Sequence, residues 1–121
     1  MIAVLLRIWA GPWSLVGLVL ALFFRRRRLF RGVVLAEGAD WPRRMGWPYR
    51  AITFGHVVLV TDEADDRILA HEFAHVGQYE TWGPLMVPVY AVVAAWTAAR
   101  GRHFYRDNPF EVAARAAEPK P

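Results

Sequence analysis

The sequence predicts an α+β fold: an N-terminal membrane helix, a short antiparallel β-hairpin, and a small bundle of helices. Three observations carry that expectation. Residues 8–24 are an apolar run without a charge, two β-branched stretches follow at 33–36 and 51–60, and from residue 61 onward the pattern is helical, punctuated by Gly-Pro and Asn-Pro. At 121 residues, 55% hydrophobic and 14% aromatic, the chain is a single domain rich enough in apolar side chains to exclude disorder.

The net charge of +4 is unevenly spread. Arg7, Arg25, Arg26, Arg27, Arg28 and Arg31 hold six of the fifteen basic residues, and from residue 32 onward nine basic residues face eleven acidic ones. The feature is a local basic patch. It argues against nucleic acid as a partner, because the arginines abut the apolar run and neither an aromatic platform nor a recognition helix accompanies them. With no cysteine in the chain, disulfides and thiolate metal sites are excluded, so any metal must be held by His, Asp or Glu.

The uncharged run makes roughly 25 Å of helix at about 1.5 Å per residue, enough for a bilayer core with slight thinning or with Arg7 snorkelling. Trp9 and Trp13 stand near one end, where interfacial indoles belong. The arginines come after the run and no small-x-small site appears, so an anchor fits better than a cleaved signal peptide. An interfacial helix held to anionic lipid is the alternative. Five arginines after the run, against Arg7 and the α-amine before it, place the C-terminal domain on the cytoplasmic side. Residues 1–31 are read as anchor and basic juxtamembrane segment, and 32–121 as the domain they carry.

In that domain, the stretch 33–36 is a short strand and the prolines and glycines of 37–50 mark a surface loop. Residues 51–60 read as one strand with a bulge or close approach at Gly55, paired with the first. Thr61 or Asp62 N-caps a helix that carries acidic residues in its first turn and runs to Trp82, where Gly83-Pro84 ends it.

That helix contains HEFAH, residues 71–75. Residues four apart project from one helical face, so His71 and His75 can place two imidazole nitrogens on one zinc ion. Glu72 then reaches a water on that ion, and a carboxylate there takes a proton and delivers it to a leaving amine. The bland alternative is a pair of core histidines satisfied by hydrogen bonds, with Glu72 paired to an arginine. A catalytic zinc usually takes three protein ligands. VGQYETW, directly after HEFAH, excludes a third histidine of the H-x-x-G-x-x-H kind. The C-terminal segment offers His103, Asp107, Glu111 and Glu118. Glu111 is best placed, because Asn108 as N-cap and Pro109 fix where its helix starts. N-P-F-E is equally a capping box in which Glu111 turns back to the Asn108 amide. Local reasoning leaves both open.

HEFAH with a downstream glutamate on a helix resembles the gluzincin metallopeptidases. The order ITFGHVVLV, HEFAHVGQYETWGPL, an apolar stretch and YRDNPFE is similar to a group of small bacterial membrane-associated proteins, over residues 50–115. The resemblance implies His71, His75 and Glu111 as zinc ligands, Glu72 as general base, and the strand 51–60 as the edge that receives an extended peptide. It makes 32–121 a metallopeptidase-like domain. One departure is Arg115, where gluzincins commonly carry an acidic residue that orients a histidine. Gln78 and Tyr79 are candidates to bond the Glu111 carboxylate or simply to pack, with Asn108 in support, and His103 or Tyr105 to polarise a substrate carbonyl.

The apolar run 84–99 settles a matter of topology. Were it to cross the membrane, Glu111 and the histidines would lie on opposite sides, so a shared site requires a buried, re-entrant or membrane-resting helix. The expected partners are membrane lipid and a peptide or protein substrate. The alternative function is a catalytically silent, zinc-binding accessory subunit of a membrane complex.

Overall fold

Alternating side chains on four short strands organise the molecule. In the computed structural model, which describes residues 2–46 and 50–119, helix α1 (Ile2–Ala21) leads into strands β1 (Arg26–Phe30), β2 (Val33–Glu37), β3 (Ala51–Phe54) and β4 (Val57–Val60). They form one sheet in the order β1-β2-β4-β3. A single turn, α2 (Trp41–Arg44), lies between β2 and β3; α3 (Asp66–Trp82), a 3-10 turn (Gly83–Leu85), α4 (Met86–Ala99) and α5 (Pro109–Ala116) complete the chain. The fold is mixed α+β, with an apolar N-terminal helix, a sheet built from hairpins and a helical bundle.

Successive strand residues face opposite ways, and here both faces are covered. Ala36, Val57 and Leu59 turn towards Ala21 of α1 and Phe24 just beyond its end. Val33, Leu35, Val58 and Val60 turn towards α3, meeting Ile68, Leu69, Phe73 and Val76. This is why VVLV of β4 is buried at every position and reads as an unbroken apolar run. Each fully buried Leu or Val stabilises by about 1.5–3 kcal/mol. Helix α1 approaches so closely that a Cβ at Gly17 would sit 2.7 Å from Val57 Cβ. Its two tryptophans tie it to the α3–α4 junction, Trp9 donating to the Thr81 carbonyl at 3.3 Å and Trp13 to that of Pro84 at 3.0 Å.

Several sequence expectations change. Residues 51–60 are not one bulged strand but the β3–β4 hairpin, with Gly55 at φ 62° in its two-residue turn. β2 does pair with this hairpin, but parallel to β4, with Val34 opposite Val57; its antiparallel partner is β1. Arg26, Arg27 and Arg28, from the basic segment that follows the apolar run, lie in that edge strand with their side chains exposed. Helix α3 is capped by Asp65, whose carboxylate accepts the Ile68 N–H at 2.8 Å. Thr61 is taken by the Arg50 carbonyl and Asp62 by the Arg50 guanidinium, both closing the hairpin, so neither is the cap. The loop 37–50 contains α2, and its residues 47–49 lie outside the described ones.

Within 84–99 the helix α4 is largely exposed, so it is not a buried core helix. By length and composition, the helical stretches Val4–Ala21 and Asp66–Ala99 are apolar enough to cross a membrane.

Candidate metal centre

Helix α3 sets His71 and His75 one turn apart, their ring centroids 5.0 Å from each other. The third group comes from α5, which packs across α3. Asn108 Oδ1 accepts the Phe110 N–H at 3.0 Å and Pro109 opens the helix, which fixes the direction of Glu111 in the first turn. The Asn108 N–H is bonded to the Tyr105 carbonyl, so Glu111 does not close a capping box. Its Oε1 lies 3.1 Å from His71 Nε2 and 3.1 Å from His75 Nε2, and its Oε2 accepts the Tyr90 hydroxyl at 2.7 Å. His71, His75 and Glu111 form a group that could hold a metal ion. Ligands about 2.0–2.1 Å from a tetrahedral ion stand roughly 3.3 Å from one another, close to the spacing between Glu111 Oε1 and each imidazole.

The far sides of both imidazoles carry oxygen acceptors. His71 Nδ1 is 2.7 Å from Glu118 Oε2, and Arg67 Nε donates to the other Glu118 oxygen at 2.6 Å. His75 Nδ1 is 2.8 Å from Gln78 Oε1, and the Gln78 amide is oriented because its Nε2 donates to the Phe110 carbonyl at 3.0 Å. With Nδ1–H donated outward, each Nε2 presents a lone pair to the shared point, the posture of a metal ligand. Without an ion, burial opposes charge on both imidazoles, but the carboxylates around them together outweigh it and raise both pKa values: Glu111 and Glu72 for each, with Glu118 added at His71. Burial likewise works against ionised Glu111, yet bonds from His71, His75 and Tyr90 outweigh it and hold its pKa far below the carboxylate range.

Glu72 stands outside this triangle. Its Oε2 is 2.7 Å from the Thr53 hydroxyl of β3, not paired to an arginine, and burial pushes its pKa up against the pull of His75 and Thr53. Glu72, His75 and Glu111 open onto one cavity of about 200 Å³, walled by β3 on one side and by α4 and Tyr105 on the other. Comparison with protein-family models, curated proteins and solved structures finds no match.

The remaining predicted residues divide. Tyr105 lines the cavity, whereas His103 is exposed, accepts the backbone N–H groups of Tyr105 and Arg106, and stacks on Phe104. Gln78 bonds His75 instead of Glu111; Tyr79 packs in a cluster with Ala10 and Met86. Asn108 caps α5, as expected. Sequence reasoning missed Thr53, Tyr90 and Arg67, and gave Glu118 a different role. Arg67 and His71 share an α3 face, and Thr53 is the polar member of AITF, but Tyr90 within the apolar run gave no local signal.

Proposed function

We propose that this chain is a membrane-associated, zinc-dependent peptidase of gluzincin type, with its domain on the cytoplasmic face. The observation that carries the reading is the convergence of His71 Nε2, His75 Nε2 and Glu111 Oε1, with the buried Glu72 opening onto the same cavity as His75 and Glu111. Two imidazoles and a carboxylate suit zinc, which when bound supplies Lewis acidity and activates water near neutral pH.

The chain's own residues supply the rest. Glu72, held by Thr53 and raised in pKa by burial, takes the proton of the attacking water and passes it to the departing amine as the C–N bond breaks. Tyr105 is the cavity residue assigned to polarise the scissile carbonyl. β3 is an edge strand, so an extended peptide can pair with its free side and run past Glu72.

The test is metal content and peptide turnover of the purified protein and two variants. One zinc per chain is expected, lost in His75→Ala. Glu72→Gln should keep zinc and lose cleavage by at least about 100-fold. Stoichiometric zinc in His75→Ala would reject the ligand set. Zinc that behaves as expected without cleavage by wild type would favour the silent accessory subunit.

A further inference from the structure

Helix α1 has two apolar faces. One meets the sheet through Gly17 and Ala21; on the other, Ile8, Leu15 and Val19 are each more than half exposed. A lone spanning helix is surrounded by hydrocarbon for its whole length, but α1 carries the sheet alongside it. Spanning would draw β1, with its unpaired edge backbone and its arginines, to membrane depth, where each unsatisfied polar group costs several kcal/mol.

The cations argue the same way. In sequence they come after the apolar run, but β1 folds back, so Gly32 of the β1–β2 turn lies against the Arg7 guanidinium. Arg31, next to Gly32, is thereby returned towards the N-terminal half of α1, while Arg25 and Arg27 stay at its C-terminal end. Both ends of the helix are basic, unlike the one-sided charge of a spanning segment. Arg25, Arg26 and Arg28 contact Asp40, Glu63 and Glu37. Arg7, Arg27 and Arg31 have no carboxylate partner among the described residues, and no acidic residue precedes Glu37 in the chain.

We infer that α1 lies in the plane of an anionic bilayer, its outer face in the acyl boundary and its flanking arginines on lipid phosphates. This rests on the membrane association proposed above and is independent of the metal. It replaces the one-sided anchor by an in-plane seat and assigns it a headgroup charge.

The full-length protein tests it with neutral phosphatidylcholine vesicles and with vesicles containing about 30% phosphatidylglycerol. Binding should favour the anionic vesicles by at least about tenfold and weaken with salt. Arg7→Ala with Arg31→Ala should lose roughly 30-fold in that binding, with zinc content and melting temperature kept. The chain has no cysteine, so Ile2→Cys at the start of α1 and Phe104→Cys between α4 and α5 report the helix N-terminus and the body of the protein cleanly. Both should react with an impermeant maleimide added outside the vesicles. Reaction at only one position means that α1 spans, and overturns the in-plane seat. Equal binding to both vesicle types overturns the headgroup assignment. A stable dimer that ignores vesicles means that a second copy covers the face, and a monomer that ignores them removes the membrane association itself.

Discussion

Glu118 shows how much of the centre depends on single contacts. Arg115, four positions after Glu111, does not face the histidines: its guanidinium bonds the Arg106 carbonyl. Glu118, just beyond the end of α5, reaches His71 instead and is itself held by Arg67. Glu118→Gln should weaken zinc binding 10- to 100-fold, measured by competition with a chelator. A loss below threefold would make it only a surface partner of Arg67. HEFAH and N-P-F-E made His71, His75 and Glu111 legible, because helix periodicity and capping are local rules. The choice between ligand and capping box for Glu111 was not local, since it depends on where Tyr90 and the two imidazoles arrive. Glu118 lay beyond reach for the same reason: a contact 47 positions apart is set by how α5 packs on α3.

Among the elements, α3 was read to its end at Trp82 and α5 to its start at Pro109, and the sheet was read least well. Val57 to Val60 has no alternation because both faces are buried, so its pairing direction could not be inferred from pattern. The RRRR run looks like a tether because nothing in its composition announces a strand; β2 and the returning chain make it one. Helix α1 is then a layer of the fold more than an appendage. Removing residues 1–24 should therefore abolish cooperative unfolding and zinc binding, as followed by circular dichroism and metal analysis, and not release an intact domain. Gly17→Leu should destabilise by about 1–3 kcal/mol or more, read from the denaturant midpoint, because the added side chain meets Val57 and the Phe54 carbonyl. Leu15→Gln on the exposed face should cost less than about 0.5 kcal/mol. A folded, zinc-loaded fragment starting at residue 25 would make α1 separable after all.

At the scale of the whole molecule, the centre imposes a pH dependence that metal should reverse. In the metal-free protein the folded pKa values of His71 and His75 lie above 6.5, so their stabilising effect is complete below 6.5 and is lost as pH rises through the folded values. Glu111 is shifted the other way: its contribution is present above 4.5 and is lost as pH falls through its lowered value. Glu72, raised by burial, has its contribution complete below 4.5 and loses it as pH rises through its raised value, which draws the optimum towards the acid end. The melting temperature of chelated protein should peak between about 4.5 and 6.5. Zinc requires deprotonated imidazoles, so the loaded protein should peak at higher pH. Identical profiles with and without zinc would remove the metal centre. The indole bonds from Trp9 and Trp13 reach across 72 and 71 positions, and that distance is also a delay. At about 5–20 residues per second, a ribosome needs roughly 4 to 14 seconds to make the carbonyls that those indoles will bind. For that interval the nascent chain displays an apolar helix whose indoles have no partner carbonyls, so lipid can receive one face of α1 before the protein has made the α3–α4 junction that ties the helix down.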